Sequence, residues 1–235
     1  MSLARLADAT SPEVEARAAV DPMTLLVPLG ATEQHGSHLP IGTDVAIAVA
    51  LAEGAAAEVP GAMVAPPLPY GSSGEHQGFA GTLSIGAEAT ELVLVELARS
   101  ATETFDRILF VNAHGGNAAP LAAAIRRLRA ESRDVRAWSP SFGGDAHAGR
   151  TETSLMLALV AAVRADLAEA GNGAPLAELI DELRAGGVRA ISGNGVLGDP
   201  AGASAEEGRA LLAAAIRDLR ATFVDWPLLA AGAAR

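Results

Sequence analysis

Glu33, His35, His38 and Asp44 are four side chains able to hold a divalent cation, and they fall within the thirteen positions 32–44. They follow directly on the apolar run Leu25-Leu26-Val27-Pro28-Leu29. Carboxylates and imidazoles next to a hydrophobic core are costly to desolvate unless something compensates them, and a metal ion compensates both at once. His114, which follows the apolar run 107–112, and Glu152 extend the set to a candidate ligand group of Glu33, His35, Asp44, His114 and Glu152. Glu33 and His35 are two apart, so an extended segment projects both to one face. Asp44 opens a predicted helix, where a carboxylate is electrostatically favoured. Alone, Asp44 reads more readily as a helix cap, and a single histidine equally as a hydrogen-bonded structural residue. Together, two histidines and three carboxylates exceed one tetrahedral site and suit two ions about 3.5–4 Å apart, a hydrolytic arrangement.

The elements that must position these residues alternate. Residues 24–29 read as a strand buried on both faces, as a parallel sheet requires. A helix is expected over 44–57, a short strand over 62–65, a helix over 87–104, a strand over 107–112, a helix over about 118–131 capped by Asn117, and a strand over 135–138. Residues 151–168 read as helical, 172–189 are ambiguous, and Ser204 with Glu207 forms a capping box for a helix over about 205–221. Residues 70–84 are too polar and Gly-rich for a core element and read as an ordered functional loop. The alternation predicts one three-layer α/β/α domain over 1–235 with a mostly parallel central sheet. Ligands of such sheets gather beyond the carboxyl ends of the strands, where the loops carrying Glu33 and His114 both begin.

Composition narrows the function. Hydrophobic residues make up 50% of the 235 positions and aromatic residues only 3%, so Ala and Leu supply most of the core volume. Asp and Glu outnumber basic residues 28 to 17, for a net charge of -11, and no basic stripe exists to neutralise phosphates, which argues against a nucleic-acid partner. There is no Cys, so thiolate catalysis and sulfur ligation are excluded. The amino-terminal ten residues carry charges where a signal peptide would be apolar, and the apolar stretch 157–163 is too short to span a bilayer; a cytoplasmic protein without a membrane partner is expected.

Four segments in order, Glu33-Gln34-His35-Gly36-Ser37-His38 through Asp44, Asn112-Ala113-His114-Gly115-Gly116-Asn117, His147-Ala148-Gly149-Arg150-Thr151-Glu152, and Gly195-Val196-Leu197-Gly198-Asp199-Pro200, resemble the successive signatures of the creatininase family of metal-dependent amidohydrolases. The resemblance spans about residues 24–221. It implies two divalent ions, Fe2+ or Zn2+ with Mn2+ as a further candidate, and a homo-oligomer. Glu33, Asp44 and His114 would match the ligands of one ion, and His35 and Asp44 those of the other. The creatinine-hydrolysing branch carries an acidic ligand two residues after the histidine, where this chain has Gly116. The replacement carboxylate is assigned to Glu152, as ligand or as acid/base.

On the same resemblance His147 is a catalytic residue, a proton donor or oxyanion partner, with hydrogen bonding to a loop carbonyl as its alternative role. His38, Tyr70, Glu75, His76, Trp138 and Phe142 are expected around the ligands or in a substrate pocket, with core filling the default reading of Trp138. The branch most similar in its short length and its 71–76 loop implies a modified ribosomal precursor peptide as substrate, cut near its carboxyl end to release a Val-Tyr-derived dipeptide. Competing expectations are a small cyclic or formylated amide as substrate, or a metal-binding scaffold without turnover.

Overall fold

The structure, a computed structural model, describes residues 5–160, 162–224 and 226. The first four residues of the amino-terminal stretch read above, and the last residues of the expected domain, lie outside the described residues. The apolar run predicted as a strand forms β1 (Thr24–Leu29), buried at every position. It is joined by β2 (Ala62–Val64), β3 (Arg107–Asn112) and β4 (Val135–Trp138) in the order β2-β1-β3-β4. All three pairings are parallel, so the sheet is parallel throughout the described strands, as continuous apolar runs favour.

The helices are α1 (Ser11–Ala18), α2 (Thr43–Ala56), α3 (Ala87–Ala101), α4 (Ala118–Ala130), α5 (Arg150–Leu159), α6 (Leu176–Gly186), α7 (Val188–Ile191) and α8 (Ala205–Val224). Side-chain alternation along the strands sorts two cores. Leu25, Val27, Leu29, Ile108 and Phe110 pack with Leu94, Val95, Leu121 and Leu128 of α3 and α4. Leu26, Val64, Leu109 and Val111 pack on the other face with Ile47, Leu51, Leu155 and Leu219 of α2, α5 and α8. The expected three layers are therefore present. No helix among the described residues is long and apolar enough to cross a membrane.

Three local expectations are corrected. The helix expected over 151–168 ends at Leu159, and Val160 is extended. Tertiary hydrogen bonds override helix propensity here, because Arg164 N donates to His38 O at 2.9 Å and Ser37 Oγ donates to Leu167 O at 2.5 Å. Asn117 stands at the cap position of α4 without a side-chain cap bond. Its amide instead donates to Gly30 O and Asn112 Oδ1 and accepts from Ser72 N, tying together the chain beyond β1, β2 and β3. The capping box of α8 is half made: Glu207 N donates to Ser204 Oγ, but the Glu207 carboxylate is taken by Arg150 and Ser154.

The strand order reverses direction between β1 and β3, since β1 leads outward to β2 and β3 outward to β4. Leu29 and Asn112 are paired at the carboxyl ends of these neighbours. Loops leaving them diverge and open a crevice, the usual ligand position in such sheets.

Candidate metal centre

Glu33 and His35 lie in the loop after β1, which closes on itself through Glu33 N to Ile41 O at 3.2 Å and Leu39 N to His35 O at 3.4 Å. That closure delivers Asp44 in the first turn of α2. His35 Nε2 is 3.2 Å from Asp44 Oδ1. From the loop after β3, His114 places Nδ1 3.4 Å from Asp44 Oδ2 and Nε2 3.3 Å from Glu33 Oε2. Glu152, in the first turn of α5, brings Oε2 to 3.9 Å from His35 Nε2 while accepting from Ala148 N at 2.6 Å. The five expected ligands are thus gathered at one edge of the sheet. Three sets of side chains could each hold an ion: Glu33, Asp44 and His114; His35, Asp44 and Glu152; and Glu33, His35 and His147.

The electrostatics match that use. Both oxygens of Glu33 and Oδ2 of Asp44 are buried without a hydrogen-bond partner among the described residues. A buried acceptor left unmatched costs the full desolvation of the group, so the centre is complete only when a cation reaches these atoms. Burial would raise the Glu33 carboxyl, but His114, His76 and His35 outweigh it and hold it well below the usual carboxylate range. Burial lifts Asp44 to about 6 against the pull of His35. Burial opposes protonation of His35 and His114, yet Asp44 raises His35 to about 10 and Glu33 raises His114 to about 9. Burial depresses His76 to about 3 and, helped by the charge on His35, His147 to about 4.

The remaining expected residues divide. His76 is buried with Nε2 3.2 Å from Glu33 Oε1, and Glu75 Oε1 is 3.5 Å from His114 Nε2, so the Gly-rich loop does reach the centre. His38 turns its Nε2 to Thr153 Oγ1 at 2.9 Å and fastens the ligand loop to α5 beside Glu152. Tyr70 is 49% exposed, and Phe142 is half-buried against the α2, α5 and α8 core. Trp138 takes its default, core-filling reading. It is buried in that core and its Nε1 donates to Asp218 Oδ2 at 2.9 Å on α8, so it is packing rather than pocket wall.

Gly116 has a physical reason to be glycine. A Cβ there would lie 2.2 Å from Ser72 O, 2.3 Å from Glu75 Oε1 and 2.5 Å from His114 Nε2. The loop bearing Glu75 and His76 therefore fills the space that a side chain at 116 would need. Gln34 was absent from the expected set, although it sits between two ligands in the sequence. It is 6% exposed, and its Nε2 lies 2.9 Å from His76 Nδ1, 3.2 Å from His147 Nε2 and 3.0 Å from Gly195 O. The signal that could have found it is an uncharged amide with both donors and an acceptor held between two buried ligands.

Comparison with known proteins points the same way. A family model described as creatininase, creatinine amidohydrolase, matches residues 7–223. A mycofactocin precursor peptide peptidase of Mycobacterium ulcerans (strain Agy99) is 51% identical over 214 residues, covering 86% of this chain and 85% of the relative. The protein of the same description from Mycolicibacterium smegmatis is 52% identical over 198 residues, covering 80% and 79%. Among solved structures, a mutant creatininase superposes with a TM-score of 0.81 at 26% identity, covering 94% of this chain and 98% of the other.

Proposed function

The chain belongs to the creatininase family of metal-dependent amidohydrolases, and from that premise we propose that it is a peptidase acting on a modified ribosomal precursor peptide. The substrate is the mycofactocin precursor named for its relatives, cut near its carboxyl end to release a Val-Tyr-derived dipeptide. Identity of 51% across 86% of the chain is the observation that carries the choice of substrate. Hydrolysis itself is supported by the unmatched oxygens of Glu33 and Asp44.

Glu33, Asp44 and His114 would hold one divalent ion and His35, Asp44 and Glu152 the other. Iron or zinc suits this oxygen and nitrogen set, and manganese is the third candidate. Bound there, divalent ions supply an acidified water and an electrophile for the amide oxygen. The protein's own groups orient and move protons. Ala148 N–H donates to Glu152 Oε2 and holds that oxygen on the His35 side, where a ligand would stand. His147 faces Glu33 through Nδ1 at 4.0 Å and is the group assigned to pass a proton to the departing nitrogen. Exposed Leu83, Ile85, Leu92 and Val93 support a homo-oligomer.

The family model's own description favours a second reading, opening of a small cyclic amide. Metal-loaded protein incubated with modified precursor, unmodified precursor and creatinine, with product masses measured, separates the two. Cleavage of the modified peptide at one internal bond is expected. Turnover of creatinine with the peptide left intact would replace the peptidase reading by the amidohydrolase one.

A further inference from the structure

Hydrogen-bond parity sorts the histidines of the centre. A backbone carbonyl only accepts, so a ring nitrogen bonded to one must carry a proton, and the other nitrogen of a neutral ring is then bare. His35 Nδ1 lies 3.1 Å from Glu33 O, and its Nε2 faces Asp44. His114 Nε2 lies 3.0 Å from Ser72 O, and its Nδ1 faces Asp44. His147 Nε2 lies 2.9 Å from Gln34 O, and its Nδ1 faces Glu33. Each carries a proton on the nitrogen bonded to a carbonyl and turns its other nitrogen to a carboxylate, where a lone pair would meet a metal ion once any second proton is displaced, the usual construction for metal ligands and bases.

His76 is wired the opposite way. Gln34 Oε1 accepts from Gly36 N at 2.9 Å, which fixes the amide's orientation. One proton of Gln34 Nε2 goes to Gly195 O at 3.0 Å. His147 Nε2, already a donor to Gln34 O, cannot accept the other. That proton goes to His76 Nδ1 at 2.9 Å, so His76 carries its own proton on Nε2, 3.2 Å from Glu33 Oε1. Gly195 makes this possible: its φ is +81° and a Cβ would lie 2.1 Å from Gln34 Oε1. The segment around it is clamped to His147 by paired backbone bonds between His147 and Leu197.

We propose that Gln34 is a positioning residue that holds His76 with its proton on Nε2, so that His76 turns an N–H and not a lone pair toward the ligand Glu33 and is not itself a metal ligand. The proposal rests on the reading of Glu33 as a ligand, but not on any substrate.

The test uses the full chain with 15N-labelled histidine, loaded with zinc. Only five histidines are present, so long-range nitrogen–proton correlation resolves each ring, with single substitutions for assignment. His76 is expected as the Nε2–H tautomer, and Gln34→Glu, which replaces the donor by an acceptor, is expected to move the proton to Nδ1. His76→Ala is expected to weaken zinc binding by about 10- to 100-fold while the number of ions bound at saturation stays the same. Should Gln34→Glu fail to fold, the wild-type spectrum and the His76→Ala stoichiometry decide alone. A wild-type His76 protonated on Nδ1, or loss of one ion in His76→Ala, would overturn the assignment. These readouts need no peptide, so failure of the peptidase reading leaves them intact, and their failure leaves peptide cleavage untouched.

Discussion

Charged groups are buried at both ends of the sheet, and they are treated differently. At the amino-terminal end of β3, Arg107 is 8% exposed and held by fixed partners: Nη1 donates to Trp226 O at 2.5 Å, Nε donates to Thr24 Oγ1 at 3.0 Å, and the guanidinium lies 5.2 Å from the Trp226 ring centre. At the carboxyl-terminal end, Glu33 is 1% exposed and neither oxygen has a hydrogen-bond partner among the described residues. Its compensating charge comes from histidines whose protons can be exchanged for a metal ion. Burial of charge is therefore not the mark of function in this molecule. What distinguishes the two ends is whether the buried charge is matched by fixed groups of the chain or by a cation that can be exchanged.

The contrast can be broken first at Glu33. Glu33→Gln should lose bound metal and at least about 10^3-fold in turnover, the several kcal/mol of charge stabilisation that a catalytic ion supplies, checked by elemental analysis beside the rate. Arg107→Met should do the reverse. Losing charged hydrogen bonds and leaving Trp226 O unmatched should cost about 2–4 kcal/mol in urea unfolding, with metal content unchanged. A fall in metal content there would mean that the two ends are coupled.

Gly116→Ala sharpens the comparison at the loop. Its methyl group must displace Ser72, Glu75 or His114, and a drop in zinc affinity of about 10- to 100-fold is expected by titration. The smallest effect is in protons. His35 and His114 are raised to about 10 and about 9, so at pH 8 both carry an exchangeable proton before an ion binds. Loading at pH 8 should release protons to an indicator, and apparent affinity should rise with pH until those groups have titrated. Loading without proton release would contradict the exchange.

The sheet was legible because β1 and β3 are apolar runs of a length suited to burial on both faces, and the candidate ligands because Glu33, His35, Asp44 and His114 crowd the ends of those runs. Residues whose placement depends on distant chain were harder to read. The end of α5 is set by hydrogen bonds to the ligand loop, which helical periodicity does not register. Asn117 looked like a helix cap because capping is a local bond, whereas two of its three partners lie 45 and 87 residues away. Gln34 carries neither charge nor helical pattern, and only the completed hydrogen-bond network gives it a part. Trp138 stood at a strand end, a position open to either pocket or core, and Asp218 on a remote helix decided between them.

The Asn117 amide has a consequence for how the protein fails under heat. One side chain is the common knot of chain leaving three adjacent strands, so when it slips those segments lose their mutual restraint in a single event. Loosening of the ion-holding mouth is thereby a concerted step, separable from melting of the layered body beneath it, and release of cation on warming would precede loss of helical signal.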